Sequence, residues 1–198
     1  MKENSVKKNF IYQVIYNIAT LVIPLIVTPF ISRALLENEI GKFTFSRSIA
    51  SYFVVFAMMG IVKYGQRAIS INNGNDEDNR KTFWSLFYTH LCFSLVSLVA
   101  YVLTVTIFIG TDQILFWVET IYVASAIFDI TWFFYGKENF GRVAICSVVI
   151  KLIEALLYIY LVKTPSDVIL YSIINCSVYL ITQIVLFCSI LKECKFRR

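Results

Sequence analysis

Six apolar runs, separated by short polar joints, occupy residues 10–31, 43–62, 87–109, 114–135, 143–162 and 168–191. About twenty residues at ~1.5 Å rise cross ~30 Å of hydrocarbon, so each run is long enough to span a bilayer as a helix. Inside a membrane the backbone has no water to bond and must satisfy itself, which a helix does. Of the 198 residues, 58% are hydrophobic and 16% charged, too apolar a balance for a soluble domain. The expected fold is an all-α integral membrane protein of six spans, a single transmembrane unit over residues 1–198. The basic stretch 1–10 resembles a signal peptide, but the run after it is too long and lacks a small-residue cleavage site, so it reads as the first span.

The joints set an expected topology. Lys2, Lys7, Lys8, Arg67, Arg80, Lys81, Lys137, Arg142, Lys192, Lys195, Arg197 and Arg198 fall on the side of the termini, while Arg33, Lys42 and Lys163 fall on the other. Basic residues accumulate in cytoplasmic joints, so both termini are expected in the cytoplasm. Trp84, Trp117 and Trp132 lie near the ends of the third and fourth runs, where an indole prefers the headgroup level.

Several chemistries are set aside. The net charge of +5 is scattered over short joints with no basic helix and no stacking platform, which argues against nucleic acid. Cys92, Cys146, Cys176, Cys188 and Cys194 show no C-x-x-C spacing and read as small buried hydrophobes. His90 is the one histidine, so no histidine-based metal site is expected, nor any cofactor; it reads as a packing or interfacial residue. The hydrophilic joint 70–82 contains a turn signal at Asn73-Gly74 and the cluster Asp76-Glu77-Asp78. A divalent metal would suit clustered carboxylates, but Asn79, Arg80 and Lys81 follow, and a solvated loop is expected.

Polar residues inside the runs point to function. Pro24 and Pro29 interrupt the first run; each removes an N–H and crowds the carbonyl four residues earlier, so a kink or local unwinding is expected there. Arg33 stands at the membrane boundary, where it either anchors the helix end by snorkelling or meets a ligand. Arg47 lies four residues past the start of the second run, about 6 Å inside, and is expected to face the bundle interior or a wet cavity. These features suggest a polar cavity lined by the first two helices. Tyr64-Gly65-x-Arg67 reads as a glycine-capped helix end, and Gly136-Lys137-Glu138 as a tight turn.

Asp129, Lys151 and Glu154 are ionisable residues deep in the fourth and fifth runs. Joined by a short turn, the fourth and fifth helices are expected to be antiparallel neighbours, with Asp129 about 9 Å and Lys151 about 12 Å from the shared edge. Lys151 is expected to be shared between Asp129 and Glu154. Such a cluster serves either to hold register or to exchange a coupling ion.

Three blocks carry a family resemblance: Pro24-x4-Pro29-Phe30-Ile31-Ser32-Arg33 with Ile40-Gly41, then Gly60-Ile61-x2-Tyr64-Gly65-x-Arg67, then Asp129-Ile130-x-Trp132-Phe133-Phe134-x-Gly136-x-Glu138-x-Phe140. In this order they resemble the O-antigen and polysaccharide flippases of the multidrug/oligosaccharidyl-lipid/polysaccharide exporter superfamily. The resemblance implies one six-helix lobe of a two-lobe fold in the bacterial plasma membrane, moving polyprenyl-pyrophosphate-linked oligosaccharide from the inner to the outer leaflet. Its partners would be that lipid-linked oligosaccharide, membrane lipids and a second six-helix lobe. It implies no catalytic residues, and a diphosphate headgroup is the ligand that Arg33 and Arg47 would suit. Such transporters usually carry twelve or more spans, so six alone are expected to be incomplete. The alternatives are a cation-coupled small-molecule or drug exporter lobe, a non-transporting membrane partner, and a polyprenyl-phosphate transferase, for which only Asp76, Glu77 and Asp78 offer acidic groups.

Overall fold

The computed structural model describes residues 2–71, 76–109 and 114–193. Six stretches among them are helical, long and apolar enough to cross a membrane: Phe10–Ala34, Glu37–Ile71, Glu77–Phe108, Ile114–Gly136, Phe140–Leu161 and Pro165–Ile190. The six-span expectation holds, and the interruptions decide the detail.

Helix α1 (Lys2–Ala34) runs through both Pro24 and Pro29. Of the kink or local unwinding expected there, the unwinding is absent. Each proline removes one hydrogen bond, and the side chains around them tie neighbouring turns: Thr28 Oγ1 donates to the Pro24 carbonyl at 2.7 Å and Ser32 Oγ to the Pro29 carbonyl at 3.3 Å. The second span does break. Helix α2 (Glu37–Ala57) gives way to α3 (Ile61–Ile71) at Gly60, whose φ of 72° only glycine adopts without strain.

Helix α4 (Asp76–Thr104) leads into a wide π turn, Val105–Ile109. Its start takes in Asp76-Glu77-Asp78, so most of the expected loop is a helix N-terminus, where acidic residues face the positive end of the dipole. Glu77 pairs with Lys81 at 2.9 Å one turn on. Asn73-Gly74, and the C-terminal Cys194, Lys195, Arg197 and Arg198, lie outside the described residues. The fourth span consists of α5 (Ile114–Ser125), a 3₁₀ turn (Ala126–Phe128), two non-helical residues and α6 (Thr131–Gly136). Helices α7 (Phe140–Leu161) and α8 (Val168–Glu193) complete the bundle. Lys137 N and Asn139 N bond back to Phe133 and Phe134 carbonyls and Glu138 takes φ 55°, making the tight turn expected there.

Packing follows the order α1 on α7, α7 on α8, α8 on α5, and α5 with α4 on α2. Helix α8 packs on both α5 and α7, and among the described residues the fourth and fifth spans have their main contact where α6 adjoins α7. At one end α3 lies on α6 so closely that both carry glycine at the contact. A Cβ on Gly65 would stand 2.6 Å from the Trp132 ring, and one on Gly136 would stand 2.7 Å from Ile69 Cβ. Gly65 is thus mid-helix and pressed on an indole, where a helix cap was expected. Trp132, expected at the headgroups, has no exposed surface and stacks on Phe83 at 5.6 Å in the main aromatic core. Cys176 is buried, whereas Cys92 and Cys188 are exposed on the bundle's outer surface.

Gly65→Val is expected to lower stability by about 2 kcal/mol through overpacking. Gly41→Ala, where a Cβ meets nothing within 4 Å, is expected to raise it by about 0.5 kcal/mol. Unfolding of the two variants in mixed micelles, followed by tryptophan fluorescence, checks both.

Candidate functional site

Arg47 sits ten residues into α2, about 15 Å along its axis, and turns into the bundle. Its Nη1 lies 3.3 Å from Oε2 of Glu119 on α5. Its guanidinium carbon lies 3.9 Å from the centre of the Tyr122 ring, within cation–π range. Its Nη2 donates to Oδ1 of Asn175 on α8. Three helices that share no short connection are thereby tied to one cation.

The network continues on both sides of Arg47. Glu119, with a side chain wholly removed from the surface, also accepts from Ser172 Oγ at 3.2 Å, and Cys176 Sγ lies 3.7 Å from its second oxygen. Asn175 orients its amide by its neighbours: Oδ1 faces the guanidinium, and Nδ2 donates to Glu154 Oε1 at 2.9 Å and to the Tyr158 hydroxyl at 3.0 Å. Tyr158 in turn donates to Glu154 Oε1 at 2.7 Å. Two carboxylates on different helices are so joined through one arginine and one asparagine.

An open cavity of about 320 Å³ lies against this network between α1, α7 and α8. Lys151, Glu154, Tyr158, Asn175 and Tyr179 form its polar wall, and Pro24 and Thr28 stand across it. A smaller cavity of about 110 Å³ shares Lys151, Glu154 and Tyr179 with the first. The expected cavity between the first two helices is therefore built by the first, fifth and sixth spans. Helix α2 adds only Ile40 to its lining, because α1 packs along α7 while α2 packs on α4 and α5.

The expected site residues separate. Arg47 is turned into the bundle and Arg33 is exposed at the end of α1; neither lines the cavity, which Arg47 reaches only through Asn175. Glu154 is bonded within the network, and Lys151 borders both cavities beside it. Asp129 serves the backbone: Oδ1 accepts from Thr131 N at 3.0 Å and Thr131 Oγ1 at 2.7 Å at the start of α6. Among the described residues Lys151 makes no ion pair with Asp129 or Glu154: the Asp129 carboxylate is turned onto Thr131, and Lys151 borders the cavities. The break in the fourth span is answered by protein: the Ala126 carbonyl accepts from Asp129 N at 3.1 Å and from His90 Nε2–H at 2.8 Å, as a helix interruption at membrane depth requires.

Sequence reasoning passes over Glu119, although an ionisable residue inside an apolar run is the signal that singles out Asp129, Lys151 and Glu154. Asn175 and Tyr158 carry no such signal, because uncharged polar residues are frequent in apolar helices.

The polysaccharide biosynthesis protein family matches residues 6–198. The chain belongs to this family. It is also 21% identical over 193 residues to a curated protein named "Putative O-antigen transporter" from Escherichia coli (strain K12). That alignment covers 96% of this chain and 46% of the relative, so the chain spans about half of the relative's length. No solved structure matches. With six helices long and apolar enough to span and this family membership, the chain is a multi-pass protein of the bacterial inner membrane.

Glu119→Ala is expected to destabilise the bundle by about 3 kcal/mol, because it strands a buried guanidinium. The double replacement Arg47→Met with Glu119→Met removes both charges and is expected to recover most of that loss. A double-mutant cycle measured by unfolding in mixed micelles reads the coupling directly.

Proposed function

We propose that the chain is one lobe of a transporter that flips polyprenyl-pyrophosphate-linked oligosaccharide units across the plasma membrane, with both termini in the cytoplasm. The observation that carries this reading is the Arg47 network, a fixed cation inside the bundle connected through Asn175 to an open, polar-walled cavity. The family match and the relative's name support polysaccharide chemistry, and the basic joints on the terminus side support the orientation.

In this reading Arg47 is the cation on the substrate path. Held by Glu119 and Asn175, its planar fork is oriented before any ligand arrives, which limits the entropy lost on binding a diphosphate. Arg33, exposed at the end of α1, meets the headgroup at the rim. Glu154 is the carboxylate for a coupling ion, because it borders the cavity and its partners Asn175 and Tyr158 can reorient when its charge changes. Asp129 and Lys151 stand beside that exchange, the first by holding the break in the fourth span and the second as a cavity cation. A second six-helix lobe would cover the apolar outer surface of α1, where Leu21 and Leu25 are each 74% exposed. Lipid serves the same surface when the lobe is alone.

The test is export of surface polymer in a bacterium lacking its own flippase. The six-span chain alone is expected to give none, and a two-lobe protein carrying this sequence as its first lobe is expected to restore it. Within that protein Arg47→Ala is expected to lower export at least tenfold or so (about 1.4 kcal/mol), Arg47→Lys to retain part, and Arg33→Ala to lose less. Normal export by Arg47→Ala would remove the residue from the path, and polymer made by the chain alone would overturn the lobe reading. Glu154→Gln is expected to change the ion dependence of export, whereas Asp129→Asn should act through stability.

A further inference from the structure

Helix α2 has 21 residues, about 31 Å at helical rise, and so already crosses ~30 Å of hydrocarbon. The whole stretch Glu37–Ile71 has 35 residues and would extend about 52 Å if straight. The 11 residues of α3 are therefore surplus to the crossing. They begin just past Gly60, whose φ of 72° follows the end of α2, and a crossing completed by α2 sets them at the headgroup level.

The two sides of α3 differ. Ile61, Gly65 and Ile69 are buried, and this face is fixed by the contacts of Gly65 with Trp132 and of Ile69 with Gly136. Gln66 and Ser70 flank a groove shared with Glu138. The outward stripe, at i, i+1, i+4 and i+8, is Lys63, Tyr64, Arg67 and Ile71, all exposed, with Tyr64 at 65% and Ile71 at 72%. The helix carries no acidic residue, and among the described residues Lys63 and Arg67 make no ion pair. Two cations one turn apart, set between a tyrosine and an isoleucine, match an anionic headgroup with its acyl chain: the cations meet the phosphate while the ring and the branched side chain enter the boundary layer.

We propose that α3 is an anionic-phospholipid binding surface, with Lys63 and Arg67 holding the headgroup phosphate. Because α3 is clamped to α6 by the glycine contacts, a lipid bound there is held at the break between α2 and α3. The site does not depend on the transport reading, since it follows from span length, the Gly60 turn and the exposed cations.

The test uses the full chain purified in detergent and titrated with phosphatidylglycerol or phosphatidylcholine, with bound lipid counted by native mass spectrometry. The unaltered chain is expected to prefer phosphatidylglycerol. Loss of one basic residue is expected to weaken that preference about fivefold, and Lys63→Gln with Arg67→Gln roughly thirtyfold. The charge-preserving pair Lys63→Arg with Arg67→Lys is expected to keep it, as is Lys163→Gln at the opposite end of α7. Equal binding of the two lipids by the unaltered chain, or a preference that survives in the double glutamine variant, would overturn the proposal. So would a dimer of the chain that dissociates in that variant, because the surface would then belong to a second copy.

Discussion

A guanidinium that never loses its charge, placed inside a bundle of apolar helices, dictates its own surroundings. Arg47 is met by a carboxylate from α5, an aromatic face from the same helix and an amide from α8. Because the desolvated cation tolerates no large displacement from Glu119, α2, α5 and α8 share a fixed register at this depth. The order of packing agrees, with α5 between α2 and α8. Asn175 then relays the constraint to Glu154 and Tyr158 on α7, against which α1 leans.

The rest of the bundle is organised by close approach. Where α3 crosses α6, two glycines bring the backbones together until an indole and an isoleucine fill the space a Cβ would need. Two of the sequence blocks that carry the family resemblance meet here, one supplying Gly60 and Gly65 and the other Trp132 and Gly136. Their spacing reflects a mechanical joint at one end of the bundle. The polar network around Arg47 lies elsewhere, along α2, α5, α7 and α8. Interrupted helices on both sides of the joint, at Gly60 and at Ala126–Phe128, set it apart from the continuous helices α1 and α7. The interruption in α5–α6 is stabilised by His90 and Asp129, whose side chains bond backbone groups there.

Much of the fold was legible without coordinates because bilayer thickness imposes a length on every span, and hydropathy reads that length directly. Interior charges such as Arg47 and Glu154 were legible for a related reason, since an ionisable residue in hydrocarbon has to face protein, although Glu119 meets the same criterion and was passed over. Partner choice was not legible. Asp129 and Lys151 lie at similar depth along adjacent spans, which made a pairing reasonable, yet sequence adjacency of two helices does not make them neighbours over their full length. The aspartate turns its carboxylate onto Thr131 and caps a turn, while the lysine borders cavities. Of the kink or unwinding expected at Pro24 and Pro29, the unwinding does not occur, since the helix continues through both prolines. The limit on partner choice applies also to Trp132, whose sequence position near a span end gave no sign that Gly65 would receive its ring.

By itself the sequence determined the number of crossings, their approximate bounds, the membrane as solvent, and the rule that Arg47 and Glu154 must be turned inward, because each of these follows from transfer free energies that act on one residue or one segment at a time. Tertiary structure alone decided that Arg47 belongs to Glu119, that Glu154 belongs to Asn175 and Tyr158, and that the open cavity lies between α1, α7 and α8. Those outcomes depend on which helices lie side by side, and that is settled by the fit of whole helix faces, glycine contacts and aromatic cores, none of which is a property of any single stretch of the chain.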